Sequence, residues 1–139
     1  MGPPPYSTAS AASELLVTAA VLYVVARAYR RGDFRRALIA IVLAFEVFAN
    51  VLYMAYRMAV PTPPLAQAAG WLGGVAALHG ILSLAMLLFL GILVALAWRD
   101  GERGTNTFRE LKGTTWTFVG LWLVSVASGE FLYAALYLA

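Results

Sequence analysis

Four stretches of roughly twenty apolar residues, near 14–29, 37–59, 70–98 and 115–138, decide what this chain can become. A helix needs about 20 such residues to cross about 30 Å of hydrocarbon. In lipid no water is at hand for the backbone N–H and C=O groups, so a continuous apolar run must close its hydrogen bonds on itself, as a helix does. The alternating pattern of a β-barrel is absent. Charged residues make up 12% of the chain, against about 25% in a soluble domain. The expectation is an all-α integral membrane protein: an up-and-down bundle of four transmembrane helices, with residues 1–139 as one domain.

The basic residues give this bundle a direction. Arg27, Arg30, Arg31, Arg35 and Arg36 lie between the first and second runs, and Arg99, Arg103, Arg109 and Lys112 between the third and fourth. Only Arg57 lies on the other side. By the positive-inside rule both basic loops are expected in the cytoplasm and both termini outside. Gly32, Gly101 and Gly104 break the helices at the basic loops, and PTPP at 61–64 is expected to turn the chain on the opposite side. The start MGPPPYSTAS has no positive n-region and no small-residue cleavage site follows the first run, so that run does not read as a secretory signal. With no cysteine, disulfides and thiol chemistry are excluded. The net charge of +3 does not point to nucleic acid, because the basic residues sit at helix ends.

Ionisable side chains inside these runs are the candidates for function. A charge at the bilayer centre costs roughly 3 kcal/mol or more, so such residues face the bundle interior. On the second helix Glu46, Asn50, Tyr53 and Arg57 share one face at 3.6 residues per turn. The third helix contributes His79, Ser83 and Met86, the fourth Ser125, Ser128, Glu130 and Tyr133. At 1.5 Å per residue Arg57, His79 and Glu130 stand roughly 31, 30 and 27 Å from the basic ends of their helices, while Glu46 is about 15 Å deep. The expectation is a cluster of Arg57, His79 and Glu130 in the outer half, with Glu46 and Asn50 beneath it. Such a cluster reads either as a paired structural device that fixes helix register or as a proton or quinone site. A haem or metal at His79 is not expected, because a second histidine or soft ligand is lacking; a buried histidine bonded to Glu130 or to a backbone carbonyl is. Trp71, Trp98, Trp116, Tyr133 and Tyr137 read as interface anchors.

The segments RRGDFRRALIAIVLAFEVFANVLYMAYRM, LHGILSLAMLLFLGILVALAWRDGE and FRELKGTTWTFVGLWLVSVASGEFLYAALYL resemble the CtaM-like family of small membrane proteins (domain of unknown function 420), which is linked to maturation of haem-copper oxidases. The likeness spans about the last 110 residues and is carried by His79, by Arg109 with Thr114 and Thr115, and by Gly129 and Tyr133. Members of that family typically carry further histidines before the second and fourth helices, where this chain has the Asp33–Phe34 region and Phe108. The resemblance therefore implies an accessory role more than a ligand-carrying one. Separately, ALIAIVLAFEVFAN is similar to the second helix of the complex I K subunit, whose glutamate belongs to a proton pathway; that likeness covers about twenty residues.

The expected function is a non-catalytic accessory subunit or assembly partner of a respiratory haem-copper (cytochrome c or quinol) oxidase in a prokaryotic cell membrane. It has no cofactor of its own, and its partners are other membrane subunits and lipids. The alternative is a proton-conducting or quinone-interacting subunit of a respiratory complex that uses Glu46. A free-standing transporter is a weaker third reading, since no helix is plainly broken at the midplane.

Overall fold

The computed structural model describes residues 5–59 and 70–138, without the side chains of Met54 and Arg57. Its helices are α1 (Pro5–Arg31), α2 (Arg36–Ala59), α3 (Gly70–Gly101), a single turn α4 (Thr107–Glu110) and α5 (Lys112–Tyr137). Four of them are long and apolar enough to cross a membrane, so this is a multi-pass membrane protein. No strand occurs among the described residues. The turn expected at 61–64 lies outside them.

Two boundaries differ from the apolar runs. α1 starts at Pro5, nine residues ahead of the first run. Proline suits a first helical turn, where its missing N–H has no partner to lose. The polar start that follows is held by tertiary contacts: Tyr6 stacks on Tyr56 with centroids 4.7 Å apart, and the Thr8 and Tyr133 hydroxyls are 2.8 Å apart. α5 starts at Lys112 and is preceded by α4, with Leu111 (φ −94°, ψ 49°) separating them.

The four long helices close a ring in which α1 packs on α2, α2 on α3, α3 most extensively on α5, and α5 on α1. Lipid tails are as apolar as leucine, so burial from water does not drive this association; close packing and interhelical hydrogen bonds do. The close packing is concentrated at the basic end. Val21, Val24, Ile39, Leu90, Leu93 and Phe118 are almost wholly buried there, and Phe118 meets Phe89 edge-on at 5.3 Å and Trp122 at 5.5 Å. Deeper in the same half the Trp122 indole N–H donates to Thr18 Oγ1 at 3.1 Å.

The connections at this end cap the helices they join. α1 ends on Gly32, whose φ of +68° is a left-handed conformation that glycine adopts without strain. Its N–H donates to the Ala28 carbonyl at 2.9 Å. Asn106, just before α4, adds a second donor to that carbonyl, with Nδ2 to Ala28 O at 2.8 Å, and Arg109 within α4 covers two more that a helix leaves open at its end: Nε donates to Tyr29 O at 3.1 Å and Nη2 to Arg30 O at 2.8 Å. Thr107 Oγ1 donates to Asp100 Oδ2 at 2.8 Å, and Thr115 Oγ1 to Phe108 O at 2.9 Å. Asp33 accepts from Arg27 at 2.6 Å and lies 3.2 Å from Arg35. The Arg27 hydrogen bond is the main reason its carboxyl sits below the usual aspartate range.

Candidate functional site

The other half of the ring is more open. Among the described residues of α1 before Val17, α2 after Val42, α3 before Met86 and α5 after Val126, only Leu72 and Leu132 are fully buried. This half holds the intramembrane ionisable groups.

Each long helix sends a polar side chain to one small interior cavity of about 20 Å³. Glu14 of α1, Glu46 of α2, Ser83 of α3 and Ser125 of α5 line it, with Met86 and Trp122 as apolar walls. That volume accommodates about one water molecule. Glu46 also accepts a hydrogen bond from Asn50 one turn on: Asn50 Nδ2 reaches the Glu46 carbonyl at 2.8 Å and Oε2 at 3.3 Å.

His79 is held by α5. Its Nδ1 stands 2.9 Å from Ser128 Oγ and 3.2 Å from the Ser125 carbonyl. The Ser128 hydroxyl donates to that same carbonyl at 2.6 Å, and a carbonyl can only accept. Both partners of Nδ1 are therefore acceptors, which makes Nδ1–H the donor and leaves Nε2 with the ring's lone pair in the neutral form. The ring lies against Gly129. A Cβ there would come within 2.7 Å of His79 Cε1, 3.2 Å of Nε2 and 3.0 Å of Glu14 Oε2. The glycine is what lets the imidazole and the Glu14 carboxyl approach α5 together.

Of the residues singled out in the sequence, Glu46 and Asn50 are brought into direct contact. His79 takes the second of its two expected partners, a backbone carbonyl, that of Ser125, together with the Ser128 hydroxyl, and not Glu130. The Oε1 atom of Glu130 is buried and has no hydrogen-bond partner among the described residues. The side chain of Arg57 lies outside the described residues. The ion pairs among the described residues, Arg27–Asp33, Arg35–Asp33 and Arg99–Asp100, are all at the basic end. Glu14 was not singled out in the sequence, because it stands at the first position of the first apolar run and reads as an end residue. With α1 starting at Pro5, Glu14 lies about 26 Å from Arg31, on the level of His79 and Glu130.

The arrangement gathers three carboxyl groups and one imidazole in an apolar surround. Chemically, such a set can exchange protons and hydrogen bonds. No group of three or more histidine, aspartate or glutamate side chains is arranged to hold a metal ion among the described residues. No family model, curated protein or solved structure matches this chain.

Proposed function

We propose that the chain is a non-catalytic accessory subunit or assembly partner of a larger membrane complex, a respiratory haem-copper oxidase in a prokaryotic cell membrane. The distribution of basic residues supports both termini outside and the basic loops in the cytoplasm. The observation that carries the subunit reading is the outer surface of α2. Among its described residues only Ile39 and Val42 are fully buried, and Phe45, Phe48, Val51 and Leu52 point away from the ring. A helix that its own bundle covers on so narrow a stripe offers a broad aromatic and aliphatic face to another transmembrane helix. The oxidase as partner rests on the resemblance to the CtaM-like family, and the absence of a cofactor of the chain's own on the lack of a second histidine or soft ligand beside His79. Mild detergent extraction of native membranes, followed by identification of what co-purifies, tests this: oxidase subunits support it, and a chain that purifies alone or with an unrelated complex contradicts it.

The position of Glu46 favours a second reading, a subunit that conducts protons or interacts with quinone. Glu46 lines the same interior cavity as Glu14, and its hydrogen-bond donor, Asn50, is neutral. Under this reading Glu46→Gln leaves assembly intact and abolishes coupled proton movement in the complex. Normal coupling in that variant rejects it.

A further inference from the structure

We propose that Glu14 and His79 form a proton-sharing pair, a site that binds one proton between Glu14 Oε2 and His79 Nε2 at the surface of Gly129. The site deepens the second reading and rests on it in one respect, that protons reach this level of the bundle. It differs in placing the proton on residues of α1 and α3 and not on Glu46.

Three observations converge. The ring orientation is fixed, because Nδ1–H is committed to Ser128 Oγ and the Ser125 carbonyl; a second proton can therefore enter only at Nε2. Nε2 and Glu14 Oε2 stand 3.2 and 3.0 Å from the same point beside Gly129. Their separation is thus at most about 6 Å, within the range in which opposite charges stabilise each other. The geometry also depends on a glycine, since any side chain at 129 collides with the imidazole.

The proton balance is simple. In one form Glu14 carries the proton and the imidazole is neutral; in the other the proton has moved to Nε2, giving an imidazolium beside a carboxylate. No other bond changes. A rotation of the Glu14 carboxyl, or one intervening water, closes the gap for transfer. Among the described residues, the carboxyl groups beside the pair are Glu46 on α2, across the cavity, and Glu130 on α5, next to Gly129 in the chain. Both are acidic, so a proton added to the pair also relieves repulsion among three carboxyl groups. The side chain of Arg57 on α2 lies outside the described residues.

His79 is the only histidine, so the full chain labelled with [15N]histidine and placed in lipid nanodiscs reports this ring alone. The site predicts an Nδ1–H tautomer at high pH and proton uptake at Nε2 on acidification. Glu14→Gln removes the carboxylate that balances the imidazolium and moves the midpoint of uptake about one pH unit or more toward acid, a tenfold change. Glu14→Asp, which keeps the charge on a shorter stem, gives a smaller shift in the same direction and serves if the glutamine variant does not fold. An Nε2–H tautomer, or a midpoint unmoved in both variants, overturns the pair. A shift in Glu14→Gln together with normal coupling in Glu46→Gln leaves the pair standing and rejects the Glu46 pathway. No shift together with lost coupling does the reverse.

Discussion

The basic half and the opposite half of this bundle are made from the same four helices, yet they solve different problems. Near the arginine-rich loops the helices interlock around Phe118, Leu90 and Val24, and Asn106 and Arg109 occupy the open carbonyls of α1. In the other half the apolar side chains are mostly half-buried or exposed, and the interior is given to Glu14, Glu46, His79, Ser83, Ser125 and Ser128. Tight packing and ionisable groups are thus separated along the helix axes. One half holds the helices together, and the other tolerates ionisable groups because the first does so.

Substitutions that strike the two halves unequally put this to the test. The largest effect belongs to Phe118→Ala, which empties the centre of the tight half and should cost about 3 kcal/mol of unfolding free energy, mainly in lost packing. Leu72→Ala in the open half should cost less by the same denaturant titration in micelles, about 2 kcal/mol at the low end of the range for a buried leucine, since its surroundings can close up. Equal costs would erase the distinction between the halves. Gly129→Ala comes next. Its methyl group forces the imidazole or the Glu14 carboxyl aside, and we expect a loss of about 1 to 2 kcal/mol, the usual range for overpacking. It should also release the His79 ring from Ser128, visible as a changed Nδ1 resonance. Trp122→Phe deletes the hydrogen bond to Thr18 between α5 and α1 and should cost about 1 kcal/mol.

The smallest effect is at Asp33, in the loop between α1 and α2. Its carboxyl lies below the usual aspartate range, chiefly through the Arg27 hydrogen bond. A depressed folded value stabilises the charged form. The contribution is therefore complete above the unfolded aspartate value of about 3.9 and is lost as pH falls through the lower folded value. Asp33→Asn should thus lower the melting temperature slightly at neutral pH and make no difference in strong acid. An effect that persists in acid would show that the side chain acts through something other than its charge.

Much of the frame was legible in the residues. The four apolar runs mark four helices that the structure contains, because hydrocarbon permits few alternatives for such segments. The spacing of Glu46 and Asn50 is one helical turn, and local spacing survives any tertiary arrangement. Glu14 was hidden for the opposite reason. The segment before it, PYSTASAAS, lacks an apolar signal, and its helix is completed by contacts of Tyr6 and Thr8 with α2 and α5 that no local pattern encodes. For His79 the residues left Glu130 and a backbone carbonyl open, and the structure chooses the Ser125 carbonyl, with Ser128 beside it. Glu130 and Ser128 lie at similar depth, and the choice between them depends on the rotation of α5 and on the space that Gly129 leaves. The capping of α1 by Asn106 and Arg109 joins residues about eighty positions apart, so it too waited for the fold.

Glu14 and Glu46 face one another inside the ring, and the His79 imidazole is laid against Gly129. A nuclear Overhauser experiment on the nanodisc-embedded protein tests this directly. A strong cross-peak between the His79 Hε1 proton and the Gly129 Hα protons is expected, and none between the ring and lipid acyl chains. Cross-peaks to acyl chains with none to Gly129 would contradict it.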